Sequence, residues 1–454
     1  MMDKTKARNT AYEERLGTDR MLPLVLRMAL PSVAAQIVNL LYNLVDRIYI
    51  GHIPGIGTHA LAGIGVTGSV IILISAFSAI VSGGGAPLAA IALGQGDRKR
   101  AGQTLGNGFV LLLIFTLLTT SLTYIFMEPL LLLTGASENT VGYAKDYLSI
   151  YLLGTLFVET SIGLNTFINT QGRPAIAMYS VLIGALLNIV LDPIFIFVLG
   201  MDVKGAALAT VISQACSACW IIGFLTSKRA SLKLELRYMR LDRNVLTHIL
   251  ALGVSPFIMS STESLVGFVL NSSLEKFGDI NVSALAIMQS AMLVVSVPLA
   301  GFAQGFVPIV SYNYGHRDKD RVKECFKIVL AIMFTFNFVM VLFMVLFPSL
   351  VAAAFTSDEA LIGTIHRAIF LCGMTIFGLQ RTCQNMFVAL GQAKVSVFVA
   401  LLRKVILLIP LALLLPKFMG VTGVFAAEGI SDTTAAILCT LIFAYQFPRI
   451  LRRV

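Results

Sequence analysis

The chain has 454 residues, of which 57% are hydrophobic and only 13% charged, with a mean hydropathy of +0.85 and a formal net charge of +10. So much apolar surface exceeds what a soluble domain of this length can bury, so a soluble enzyme is excluded and a multi-spanning membrane protein is predicted. The positive charge is a matter of topology rather than of nucleic-acid recognition, because most Lys and Arg fall in the two tails and in every second connection between apolar stretches.

Residues 1–20 read as an N-terminal tail with mixed charge and no short apolar core, so no cleaved signal peptide is expected. Beyond it, hydropathy predicts about twelve membrane-spanning helices: 22–50, 60–92, 102–127, 140–169, 174–199, 203–227, 245–275, 282–314, 321–350, 360–390, 395–417 and 421–447. Basic clusters at Arg98–Arg100, Arg173, Lys228–Arg243, Arg317–Lys327 and Lys394–Lys404 mark alternate loops, and with the two tails they place both termini in the cytoplasm of a cell membrane. Arg367 is one of the stragglers on the other side.

In the first span Gln36, Asn39, Asn43 and Asp46 follow at steps of three, four and three, a polar stripe along one helical face that reads as a cavity wall. Arg47 stands beside Asp46 and could partly neutralise it. Gly63, Gly65 and Gly68 match a dinucleotide-loop pattern, but they lie inside a membrane helix and follow no strand, so they read as helix-packing glycines. The fourth span carries Glu159.

The fifth span is almost wholly apolar, yet holds Asn188 and Asp192 four residues apart, on one face and one turn from each other. Pro193 follows and loosens the helix there. A lone carboxylate at membrane depth costs about 2.5–3.5 kcal/mol, so Asp192 must face a cavity, a partner or an ion. The pair reads as an ion- or proton-binding face, with a hydrogen-bonded packing pair as the plain alternative.

The sixth span contains Cys216 and Cys219, but the chain's 6 cysteines and 5 histidines are scattered without metal or disulfide spacing. In the seventh span Ser260, Glu263 and Asn271 share a face behind Pro256, and Met259, Met288 and Met292 add soft apolar surface, so Glu263, Met288 and Met292 are candidate cavity or substrate residues. The tenth span adds Gln380 as a further cavity candidate, beside Arg381.

The chain repeats itself. Gly94-Gln-Gly-Asp-Arg98 returns as Tyr314-Gly-His-Arg-Asp318, Leu30-Pro31 as Ser255-Pro256, and Phe167–Gln171 as Phe387–Gly391, each about 220 positions later. The expected domains are a tail (1–20), an N-terminal six-helix bundle (21–227), a basic linker (228–244), a C-terminal six-helix bundle (245–447) and a second tail (448–454). Two halves of six spans are related by a pseudo-two-fold axis along the membrane normal and enclose a midline cavity suited to alternating access. The predicted fold class is therefore an all-α integral membrane protein of twelve transmembrane helices in two bundles.

In that order these features resemble the multidrug and toxic compound extrusion (MATE) family over essentially the whole length. The match rests on the Pro31…Asp46 first helix, the Gly-Gln-Gly-Asp loop, Asn188-x-x-x-Asp192-Pro193 and Gly205-Ala-Ala-Leu-Ala-Thr210. The resemblance implies efflux of cationic amphipathic drugs by antiport against Na⁺ or H⁺, with no cofactor beyond that coupling ion and no enzymatic activity. It also implies a cation site drawn from Asp46, Asn188, Asp192, Thr210 and the backbone of Ala206, holding Na⁺ if sodium is the coupling ion. Two carboxylates, an amide and a hydroxyl are hard oxygen donors, a poor match for zinc or copper. Another branch of the family places its acids in the seventh and tenth spans; here Glu263 matches the first, and Gln380 stands at the second, which argues against that site. A monomer in the lipid bilayer is expected.

A flippase for lipid-linked saccharides of the same superfamily is the alternative, but the intramembrane polar residues read as acidic, with Arg47 and Arg381 the only basic candidates seen. A membrane enzyme would need a nucleophile–base pair or a nucleotide loop, and a channel does not call for two repeated halves.

Overall fold

In the computed structural model, which describes residues 4–347, 350 and 376–452, no strand is found among the described residues and helices dominate. The longer ones are α1 (Lys4–Thr18), α2 (Met21–Gly51), α3 (Gly57–Gly94), α4 (Arg98–Ile125), α5 (Val141–Thr170), α6 (Pro174–Val198) and α7 (Asp202–Thr226) in the first half. The second half holds α8 (Arg243–Glu275), α9 (Asp279–Gly315), α10 (Lys319–Leu346), α11 (Phe377–Ala389), α12 (Ala393–Met419) and α13 (Val421–Arg452). Eleven of these are long and apolar enough to cross a membrane. Residues 360–375 of the predicted tenth span, with Arg367, lie outside the described residues, as do residues 1–3 and 453–454 of the tails.

Two bundles of helices result. In the first, α5 packs on α7, α2 on α6 and α3 on α5; in the second, α8 packs on α12, and α11 on both α10 and α13. The bundles meet where α2 crosses α9 and where α3 crosses α8 and α9. The repeat seen in the sequence has a physical basis at its loops. Asp97 caps α4 by accepting from the Arg100 amide at 2.9 Å, and Asp318 caps α10 by accepting from the Arg321 amide at 3.0 Å. The residue before each cap is left-handed, with φ +76° at Gly96 and φ +65° at Arg317, so the second half holds the same turn with a bulkier residue. Phe167 and Phe387, which correspond in the repeat, are both fully buried.

The N-terminal tail, read from sequence only as mixed charge, forms α1. Its Ala, Arg and Glu residues favour helix, and it offers Tyr12 and Leu16 to the bundles. The Leu16 carbonyl accepts from Asn313 Nδ2 at 2.8 Å and Arg321 Nη2 at 3.2 Å in the second bundle, while Glu13 pairs with Arg98 of the first at 2.7 Å. Arg173 lies 4.2 Å over the Tyr12 ring. α1 thus straps the two bundles together at the end that carries the basic loops.

The basic linker packs on the first bundle. The Asn107 side chain donates to the carbonyls of Tyr238 and Arg240 at 3.0 and 3.1 Å and accepts from the Asp242 amide at 2.7 Å. Leu232 and Leu234 are buried beneath it. Of the three glycines at 63–68, only Gly63 sits against another helix, facing the Thr140 carbonyl and Ala144 amide of the α5 entry; Gly65 and Gly68 face open space. The helix-packing expectation holds for one of the three.

Candidate functional site

The fifth-span pair sits on α6 as its spacing requires. Asn188 Nδ2 donates to Asp192 Oδ1 at 3.1 Å and reaches Thr210 Oγ1 on α7 at 3.4 Å. Asp46, on α2, lies close enough to Asp192 for the two carboxyls to interact. Three helices therefore converge. Pro193 has no amide to donate, and α6 widens into a π-helical turn over Ile194–Val198 just beyond it. Against that turn packs Gly205, whose lack of a Cβ lets α7 touch the Phe195 backbone. The close approach sets Ala206 and Thr210 beside α6.

The site is buried and acceptor-rich. Asp46 is 8% exposed, Asn188 1%, and Asp192 and Ala206 are fully buried. Asp46 Oδ1, Asn188 Oδ1 and Asp192 Oδ2 are buried without a hydrogen-bond partner. Orphaned buried acceptors on three neighbouring side chains are costly unless a cation meets them. Hard oxygens of this kind suit a proton or Na⁺. Tyr147 brings α5 up beside Thr210. Arg47 is exposed and forms no ion pair with Asp46 among the described residues, so the neutralisation considered from sequence is not made at close range. No cluster of three or more His, Cys, Asp or Glu with metal-site geometry occurs among the described residues.

Next to this acid pair, toward the Arg173 loop, lies a cavity of about 300 Å³, lined among others by Gln36, Asn39, Tyr42, Asn165, Asn169 and Gln214. The polar stripe of α2 is thus divided. Gln36 and Asn39 face the cavity and Asp46 the ion-binding face, but Asn43 is exposed and donates to the Asn39 carbonyl of its own helix at 2.6 Å.

A second cavity of about 300 Å³ lies between the bundles, with Met259, Ser260, Glu263, Gln304, Arg381 and Asn385 on its walls. From it a small recess opens into the second bundle, lined by Glu263, Gln380, Arg381, Arg403 and Lys404 among others. Met288 is not a cavity residue. It is 1% exposed and packed with Val266, Leu270 and Phe425 in the second bundle's core, and Met292 packs on the edges of two cores. Unbranched Met fills irregular gaps, and that is its use here.

Sequence reading missed a buried charge cluster in the second bundle. Arg403 binds Asp432 in a fork, Nε to Oδ1 at 2.6 Å and Nη2 to Oδ2 at 2.9 Å, with Lys404 and Glu428 beside them. Arg403 and Lys404 had been grouped with a basic loop. They lie ten residues into α12, about 15 Å along the helix. Their signal was their place inside an apolar stretch, together with Glu428 and Asp432 one turn apart in the next span, the same spacing as Asn188 and Asp192.

A family model, MatE, matches residues 31–194 and 256–414. The multidrug export protein MepA of Staphylococcus haemolyticus (strain JCSC1435) is 26% identical over 420 residues, covering 92% of both chains. MepA of Staphylococcus aureus (strain N315) is 24% identical over 427 residues, again covering 92% of each. Among solved structures, an outward-facing multidrug resistance MATE family transporter of the MOP superfamily superposes with a TM-score of 0.87 at 25% identity, over 94% of this chain and 96% of that one. A MOP superfamily transporter from Pyrococcus furiosus Vc1 (DSM3638), noted for the reverse polarity of its binding pocket, gives 0.89 at 25% identity, over 96% and 98%.

Proposed function

This chain belongs to the multidrug and toxic compound extrusion (MATE) family, and from that premise we propose that it exports cationic amphipathic compounds across the cell membrane by antiport against Na⁺ or H⁺. The observation that carries the coupling is the set of orphaned oxygens on Asp46, Asn188 and Asp192, beside the Thr210 hydroxyl, buried in one bundle. In this reading the ion is cargo. Asp46 and Asp192 supply the charge that it neutralises, Asn188 and Thr210 supply neutral oxygens, and the Ala206 carbonyl completes the set. Na⁺ and H⁺ both satisfy the carboxyl pair, and only Na⁺ draws on the hydroxyl.

Alternating access follows from the two bundles, taken as residues 21–227 and 245–447, rocking about the shared cavity as monomers. With the basic loops in the cytoplasm, the present form is closed on that side. There Gly94 abuts the Tyr312 carbonyl and Gly315 the Ile91 carbonyl, with α1 laid across both bundles. Glu263, on the cavity wall, is the acid nearest to hand for a positive substrate. Binding at Asp46 and Asp192 drives transport only through its different affinity for the two orientations.

Expression in a drug-sensitive bacterium tests this reading. Cells carrying the chain should accumulate less of a cationic dye than control cells, and collapse of the ion gradients should abolish the difference. Equal accumulation with the protein shown in the membrane would refute export of such compounds.

A further inference from the structure

Glu159 of α5 is 1% exposed, and both of its carboxyl oxygens are buried without a hydrogen-bond partner. It stands apart from Asp46 and Asp192, neither of which interacts with it. Ser75 and Ser78 of α3 are the polar side chains within reach, but the Ser78 hydroxyl already donates to the Ser75 carbonyl at 2.7 Å. Among the described residues, no charged group acts on it from α3, α4, α6, α7 or α9, or from the short helix Met127–Leu133, all of which pack on α5. The titratable group in its field is Tyr151, about two turns back on its own helix. An ionised carboxylate in that setting has neither counter-charge nor donor, so the acid fits there only with a proton on it.

The place of this acid ties its proton to the movement of the bundles. Val158 and Ser161, close on either side of it in the chain, line the first-bundle cavity, while Glu159 turns toward α3. One turn beyond Ser78, α3 widens into a π-helical turn over Val81–Gly85. There it crosses to the second bundle, with Gly83 against Pro256 and Gly84 against the Ile249 carbonyl of α8. Such turns inside a helix are frequent at functional sites. Loss of the proton leaves a charge that only water can solvate, and water reaches it only if α3 and α5 part. We propose that Glu159 is a further proton-binding residue of the first bundle, protonated while α3 is packed on α5 and giving its proton to the cavity as the crossing of α3 and α8 opens. Its affinity for the proton then differs between the two orientations, as it must for any ion that takes part in the cycle. The inference rests on the reading of the chain as an antiporter. It adds one proton to the exchange that Asp46 and Asp192 drive and does not replace them.

The test counts protons. The purified full chain, in detergent and weakly buffered solution, is saturated with tetraphenylphosphonium, a permanent cation with no proton of its own, and the protons released per cation bound are read. Release should fall by about one proton in Glu159→Gln, while the share from Asp46 and Asp192 remains. By linkage, tetraphenylphosphonium affinity in Glu159→Gln should climb up to about 10-fold less per pH unit than in the wild type. A side chain that serves packing alone shifts that affinity equally at every pH and moves neither reading. Binding of the cation reports that each variant is folded. Should Glu159→Gln fail to fold, Glu159→Asp keeps the proton on a shorter arm and moves the pH at which release is half complete; an unmoved midpoint overturns the proposal. Proton release unchanged in Glu159→Gln also overturns it and leaves the export reading standing. A wild type that binds the cation and releases no proton overturns it as well, with Na⁺ coupling left in place. A wild type that does not bind the cation rejects both readings.

Discussion

A carboxylate at membrane depth carries a penalty of about 2.5–3.5 kcal/mol, and two side by side are tolerated only with positive charge between them. Asp46 and Asp192 are such a pair, and Asn188 and Thr210 differ from them in being neutral. Removal of the Thr210 hydroxyl takes one oxygen from a Na⁺ shell and nothing from a proton. In Thr210→Ala the half-saturating Na⁺ concentration for drug transport should therefore rise roughly 3- to 10-fold, with proton-driven transport changed by less than about 2-fold. Equal losses under both gradients would place Thr210 in packing. This residue pair was legible in the sequence because a carboxylate and an amide one turn apart stand out in an apolar stretch. What step counting does not display is that the Asn43 side chain binds a carbonyl on its own helix.

At the scale of elements, charge near the end of a hydropathic stretch was read as loop charge, and α12 shows where that fails. Arg403 and Lys404 sit inside the helix because α13 brings Asp432 and Glu428 to meet them, a partnership between two spans that no single window of sequence displays. Asp432→Asn leaves Arg403 buried with half its counter-charge lost, and should cost about 3–5 kcal/mol, seen as a lowered midpoint of thermal aggregation in detergent. The double change Arg403→Met with Asp432→Leu should recover most of that loss; failure to recover would show a role beyond charge pairing. α1 was also hidden from sequence, since only Tyr12 and Leu16 mark its inner face. Glu13 on α1 is 2% exposed, and burial holds its carboxyl above the ordinary value of 4.5 despite the Arg98 guanidinium and a hydrogen bond from Ser231. An acid raised in the docked state favours docking when protonated, so that contribution is full below pH 4.5 and is lost as pH rises through the docked value. Hydrogen-exchange protection of residues 11–18 should accordingly grow on acidification from neutral pH, and Glu13→Gln should flatten the dependence. Protection that falls on acidification would reverse the assignment.

For the whole molecule, hydropathy sufficed for the eleven spans found among the described residues. The internal repeat supplied the two bundles, because Asp97 and Asp318 cap corresponding helices and leave the same local sequence behind. The cavities were less legible. Their walls combine α2 with α5 and α7 in one bundle, and α8 with α11 and α12 in the other, so that Asn165, Asn169 and Gln214 become neighbours of Gln36 only once the bundle is packed. What joins the site to transport is a single claim, that a cation held by Asp46 and Asp192 is exchanged for drug. Its most direct measurement is gradient-driven efflux of a cationic dye from proteoliposomes, with Na⁺ and H⁺ gradients imposed separately, for the wild type and the Asp46→Asn, Asp192→Asn double variant. The account predicts that at least one gradient drives the wild type and that neither drives the double variant beyond about a tenth of that rate, with downhill dye exchange retained. Full gradient-driven transport by the double variant would contradict it.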